Sequence, residues 1–173
     1  MTVFQFEQQL NRYQNRVFGF AFHYLGNREE AEDVTQEVFI RFWKHRETID
    51  EDQPLGWLLR VTRNASVDAI RRRKTYQRTV SVNSELLDYA HGSNPLPDDN
   101  AESSDFRQHL QQAVEELNEP YRSIVILREL QELKYQEISD ALDLPLTTVK
   151  VYLHRARKML RNQLHEVLQR ENE

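Results

Sequence analysis

Cysteine is absent from this 173-residue sequence, so disulfides, thiolate catalysis and cysteine-based zinc sites are excluded. Glycine and proline are scarce, at 4 and 5 residues, which suits a helix-rich chain, and no glycine-rich phosphate loop is present. Long hydrophobic runs are also missing. The longest uncharged stretch, Val17 to Asn27, has 11 residues, against the ~20 that a membrane-spanning helix needs. Residues 1–20 carry Glu7, Arg12 and Arg16 and show neither the apolar core nor the cleavage site of a signal peptide, which makes a cytoplasmic location the expectation. The six histidines form no HxxxH or His–carboxylate pattern with ligand spacing, and no nucleophile motif occurs. Neither an enzyme nor a bound metal or cofactor is therefore expected.

The net charge of −5 speaks against nucleic acid until its distribution is read. Residues 1–80 carry 13 basic and 11 acidic side chains, residues 81–120 carry 1 and 9, and residues 121–173 carry 9 and 8. The acidity is concentrated in the middle, and both ends stay open to DNA.

Apolar residues Phe6, Leu10, Tyr13, Val17, Ala21 and Tyr24 recur every three or four positions, which predicts an amphipathic helix ended by Gly26-Asn27. Asn27 is placed to cap a second helix, about Arg28 to Arg46, with Glu30 at the capping-box position and Ala31, Val34, Val38 and Phe42 inward. After the polar loop Glu47 to Pro54, a third helix runs from about Leu55 into Arg71-Arg72-Arg73-Lys74. Periodicity then fades. His91-Gly92-Ser93-Asn94-Pro95 and its acidic surroundings have linker chemistry. Helical spacing returns with Phe106, Leu110, Val114 and Leu117, breaks at Asn118-Glu119-Pro120, and resumes with Tyr121, Ile124, Val125, Leu127 and Leu130. Two more helices follow, Tyr135–Leu142 and Thr148 to about Leu168. The fold class is all-α: an N-terminal helical bundle (1–77) and a C-terminal helix-turn-helix module (105–173), joined by a flexible acidic linker (78–104).

Three surfaces carry functional signals. In Tyr135 to Lys158, Ile138, Leu142, Leu144, Val149 and Leu153 form the shared core of a helix-turn-helix, Ser139 is the small residue at the close approach, and Thr147 or Thr148 can cap the second helix. Lys150, Tyr152, His154, Arg155, Arg157, Lys158 and Arg161 make its polar side; a helix of ~13 residues is roughly 20 Å long, enough to enter a major groove. On the third helix, Arg60, Arg63, Asn64, Arg71, Lys74 and Arg78 share about a 100° arc, with Leu58, Val61, Ala65 and Ala69 opposite. Leu59, Val67 and Ile70 fit neither side. Such a stripe suits either phosphate contact or plain solvation. On the second helix, Asp33, Gln36, Glu37, Ile40 and Lys44 lie away from the core, flanked by Phe39 and Trp43. The face fits protein docking or solvent equally by spacing alone. Trp57 reads as core.

Glu29-Glu30-Ala31-Glu32-Asp33-Val34-Thr35-Gln36-Glu37-Val38-Phe39 closely resembles the polymerase-binding helix of sigma-70 family sigma factors. Pro54-Leu55-Gly56-Trp57 onward to Arg71-Arg72-Arg73 resembles that family's −10-reading helix, and Glu116-Leu117-Asn118-Glu119-Pro120-Tyr121-Arg122 with the helix-turn-helix resembles its −35 module. With no intervening domain, the chain looks like the extracytoplasmic-function subgroup. The resemblance implies a sigma factor with core RNA polymerase, promoter DNA and an anti-sigma factor as partners. It implies docking through Asp33, Gln36, Glu37 and Ile40. The −10 element would be read by Arg60, Arg63, Asn64, Arg71, Arg72, Arg73 and Lys74, with loop Glu47–Pro54 holding a flipped base. The −35 element would be read by Thr148, Lys150, Val151, Tyr152, His154, Arg155, Arg157 and Lys158. Asp143 replaces the glycine usual at the bend, Thr147-Thr148 replaces glycine-threonine, and Val151 replaces a small polar residue, which permits a thymine-methyl contact. The alternative is a helix-turn-helix regulator that binds an operator without polymerase.

Overall fold

The computed structural model describes residues 1–50, 53–83 and 101–170. The linker from 84 to 100, and residues 51 and 52 of the base-holding loop, lie outside the described residues. Seven α-helices and no strand occur among those described: α1 (Val3–Leu25), α2 (Arg28–Lys44), α3 (Pro54–Asn83), α4 (Ala101–Glu116), α5 (Tyr121–Val125), α6 (Tyr135–Leu142) and α7 (Leu146–Arg170). A π-helical turn, Ile126–Leu130, continues α5, with the Gln131 N–H donating to the Ile126 carbonyl.

Local chemistry explains the boundaries. Thr2 and Gln5 form a capping box at the start of α1, and Gly26 ends that helix at φ 64°, a left-handed conformation that glycine adopts without strain. The Asn27 side chain accepts from the Glu30 N–H at 3.0 Å and starts α2 as expected. The Glu30 carboxylate, expected to complete a capping box, is bound by Arg73 of α3 instead. α3 and α4 are longer than expected, because residues 78–83 and 101–104 are helical rather than linker. On α3 the reason is that residues 71–79 are exposed except for the half-buried Arg73, so no apolar period marks the continuing helix.

α1, α2 and α3 bury Val17, Phe20, Ala21, Ala31, Val38, Phe42 and Leu58 between them. α4 to α7 bury Val114, Ile124, Ile126, Leu127, Ile138, Ala141, Val149, Leu153 and Ala156. At ~25 cal/mol per Å² of apolar surface, each of these Val, Leu, Ile and Phe side chains stabilises the fold by about 1.5–3 kcal/mol before entropy is counted, and each Ala by less. The modules also pack on each other, with α6 against α3, and α4 and the π-helical turn against α1.

Candidate polymerase and nucleic-acid interfaces

The outward face of α2 is built as its sequence suggests. Asp33, Gln36 and Ile40 are exposed, Ile40 by 55%. Glu37 is half-exposed and pairs with Arg41 one turn on. Phe39, expected to flank this face, is buried at 6%, because it points into the same core as Phe42. Trp43 is half-buried, edge-on to Phe6 at 5.0 Å, with the Arg46 guanidinium 4.2 Å above its ring. Trp57, also half-buried, meets Phe42 at 5.9 Å and His45 at 6.0 Å.

Along α3 the expected basic set divides in three. Asn64, Arg71, Arg72 and Lys74 are exposed, with Arg71 3.8 Å from Asp68. Arg60 and Arg63 face the other module: Arg60 donates to the Asp140 carbonyl at 2.7 Å, and Arg63 pairs with Glu119 at 2.8 Å. Arg73 turns toward α1 and α2, where it binds Glu30 and donates to the Leu25 carbonyl at 3.1 Å. Leu59, which fitted neither side of the helix, is 1% exposed. It falls within about 60° of Gly56 and Arg63, on the side that meets the C-terminal module. α3 thus has two covered faces.

In the helix-turn-helix, Asp143 adopts the left-handed conformation (φ 55°, ψ 47°) that the missing glycine would supply. The Ser139 hydroxyl donates to the Leu144 carbonyl at 2.5 Å and closes the turn. α7 begins at Leu146, with the Val149 N–H donating to the Pro145 carbonyl, so Thr147 and Thr148 lie inside its first turn and do not cap it. Lys150, Val151, His154, Arg155 and Lys158 point outward, and Thr148 is half-buried. Tyr152 packs edge-on against Tyr121 at 5.3 Å, and Arg157 is paired with Glu129 at 2.6 Å.

Residues outside the three predicted surfaces hold the modules together. Arg122 is 8% exposed; it donates to the Glu115 carbonyl at 2.9 Å and to the Tyr24 carbonyl, with the guanidinium 4.4 Å from the Tyr24 ring. Burial pulls its pKa below the ordinary arginine value, opposed by Tyr24 and by the carboxylates of Glu115 and Glu119. Burial pushes the Tyr24 phenol up, and Glu119 adds to the effect. Gln111 donates to the His23 carbonyl at 2.9 Å and to Glu115 at 2.8 Å, and Gln131 donates to the Arg16 carbonyl at 3.1 Å.

Residues 10–76 match the family described as Sigma-70 region 2, and residues 107–160 match Sigma-70, region 4. The ECF RNA polymerase sigma factor SigW of Bacillus subtilis (strain 168) is 32% identical over 90% of this chain and 86% of that protein. SigE of Mycolicibacterium smegmatis, also described as an ECF RNA polymerase sigma factor, is 32% identical over 91% of this chain and 61% of that longer protein. The sigma factor RpoE, solved in complex with the anti-sigma factor NepR from Bartonella quintana, shares the fold at a TM-score of 0.71 and 21% identity, covering 92% of this chain and 96% of that one. Two family regions in sequence order, carried on the helices just described, place this chain in the extracytoplasmic-function group of the sigma-70 family of RNA polymerase sigma factors.

Proposed function

We propose that this chain binds core RNA polymerase in the cytoplasm and directs it to promoters, reading a −10 element with residues 1–77 and a −35 element with residues 105–173. Asp33, Gln36, Glu37 and Ile40 dock on a basic helical partner. The Glu37–Arg41 pair costs little to give up, since exposed pairs four residues apart on a helix are worth about 0.3–0.5 kcal/mol. Asn64, Arg71, Arg72 and Lys74, joined by Arg60 and Arg63, track the −10 strand, and loop Glu47–Pro54 takes an extruded base at a cost of a few kcal/mol. Lys150, Val151, His154, Arg155 and Lys158 meet base edges and phosphates of the −35 major groove. The chain's contribution is recognition; bond-making belongs to the polymerase. An anti-sigma factor is its natural regulatory partner.

The observation that carries this reading is the α2 face, where Ile40 is 55% exposed among Asp33, Gln36 and Glu37. An operator-binding regulator needs α6 and α7 but has no use for it. The test is run-off transcription in which core polymerase and this chain are each omitted in turn. Promoter-specific transcript is expected only with both present. Promoter occupancy by the chain alone, without stimulation of core, would establish the operator-binding regulator instead.

A further inference from the structure

Only part of the polar side of α7 is left for DNA. Tyr152 packs on Tyr121, and Arg157 pairs with Glu129. Lys150 lies about 100° round the helix from Val151, its ammonium 5.9 Å from the Tyr135 ring. At 100° per residue the buried Val149, Leu153, Ala156 and Leu160 all fall within about 40° of the direction opposite Val151. Val151 is therefore the outermost point of the helix. Thr147, Arg155 and Lys158 lie within about 40° of it, and all three are exposed. Val151 itself is 47% exposed. A β-branched residue is a poor helix former, so helix stability does not explain its place there.

The crest of α7 is thus a pair of methyl groups ringed by a hydroxyl and two cations. The cations are drawn to phosphates. A side chain with neither donor nor acceptor matches only one feature of the major groove, the thymine 5-methyl group. We propose that Val151 determines specificity at one A·T pair of the −35 element, through the thymine methyl and not through a hydrogen bond. The proposal rests on α7 being the −35 reader. With another base in that place, the same methyls cover a donor or acceptor and give it no partner in exchange for water. Because the group recognised is a methyl, 5-methylcytosine recovers part of what cytosine loses, and binding responds to cytosine methylation at this base.

The probe is a promoter duplex that this chain and core polymerase together enrich from a randomised pool. Each −35 thymine is replaced in turn by deoxyuridine, which lacks the methyl and keeps the same hydrogen-bonding edge. One such replacement is expected to weaken binding of the wild-type chain with core about fourfold, the factor that one buried methyl group supplies. Cytosine at that base weakens binding further, and 5-methylcytosine recovers about fourfold of the loss. Val151→Ser, at an exposed site where the fold tolerates change, keeps its helix content by circular dichroism and binds the thymine and deoxyuridine duplexes equally. The proposal is overturned if the enriched −35 element has no thymine whose methyl matters to the wild type, or if Val151→Ser discriminates as strongly. A pool from which chain and core enrich no duplex removes the sigma-factor reading, and this proposal with it.

Discussion

Arg122, in the first turn of α5, donates to the carbonyl oxygen of Tyr24 in the last turn of α1. A helix leaves its final carbonyls without partners, and here side chains from three other helices supply them: Arg122 to Tyr24, Gln111 to His23 and Arg73 to Leu25. Two of these three come from the C-terminal module. The end of α1 is therefore finished by the other half of the molecule.

Arg122→Ala leaves the Tyr24 and Glu115 carbonyls without this donor. Hydrogen bonds to charged groups contribute ~1.5–3 kcal/mol, and a stability loss of about that size is expected by urea denaturation. Arg122→Lys should recover only part of it, because a single ammonium does not reproduce the planar fork that reaches both carbonyls. Wild-type stability in Arg122→Ala would show that these contacts contribute nothing, and full recovery in Arg122→Lys would show that the planar fork is not needed.

Reversing charge at Asp33 and Glu37 should abolish capture of core polymerase. Like charges juxtaposed across an interface cost several kcal/mol. Exposed substitutions change fold stability by less than ~0.5 kcal/mol, so circular dichroism of Asp33→Lys/Glu37→Lys should match wild type. A folded double variant that still pulls down core would remove α2 as the docking helix.

Arg155 and Lys158, both exposed on α7, are expected to behave differently. Arg155→Ala should cost ~1–3 kcal/mol on the cognate −35 element and relax preference at one position. Lys158→Ala should weaken binding evenly across sequences and reduce its salt dependence. Equal losses on cognate and scrambled −35 elements for both variants would show that neither reads bases.

His23 is expected to make the fold sensitive to acid. Burial lowers its pKa below 6.5, only partly opposed by the hydrogen bond with Gln111, whose amide also binds the Glu115 carboxylate. The folded state favours the neutral ring. Its contribution is therefore fully present above the unfolded value and is lost as pH falls through that value toward the folded pKa. Thermal midpoints measured at about pH 7.5 and about pH 5.5 should show a fall that His23→Gln reduces. An identical fall in the variant would assign the acid sensitivity elsewhere.

Much of this molecule is written locally. The Asn27 cap, the left-handed Asp143 and the alternation of core and surface along α1, α2, α6 and α7 follow from side chains within a few residues of one another. The acidic α2 face with Ile40 outward and the outward cations of α7 were legible for the same reason: a single amphipathic helix displays its outer face whatever it packs on. The length of α3 was hidden because an exposed helix has no apolar period. Tertiary structure alone decided which cations are available. Arg73 turns to Glu30 and Leu25, Arg60 to Asp140, Arg63 to Glu119 and Arg157 to Glu129, and Arg122 is buried against Tyr24. These partners lie 28 to 98 residues apart in sequence. Helical periodicity sets only the direction in which a charged side chain leaves its helix. Whether it meets water, a carboxylate or a carbonyl depends on where the packing of apolar faces brings the other helices.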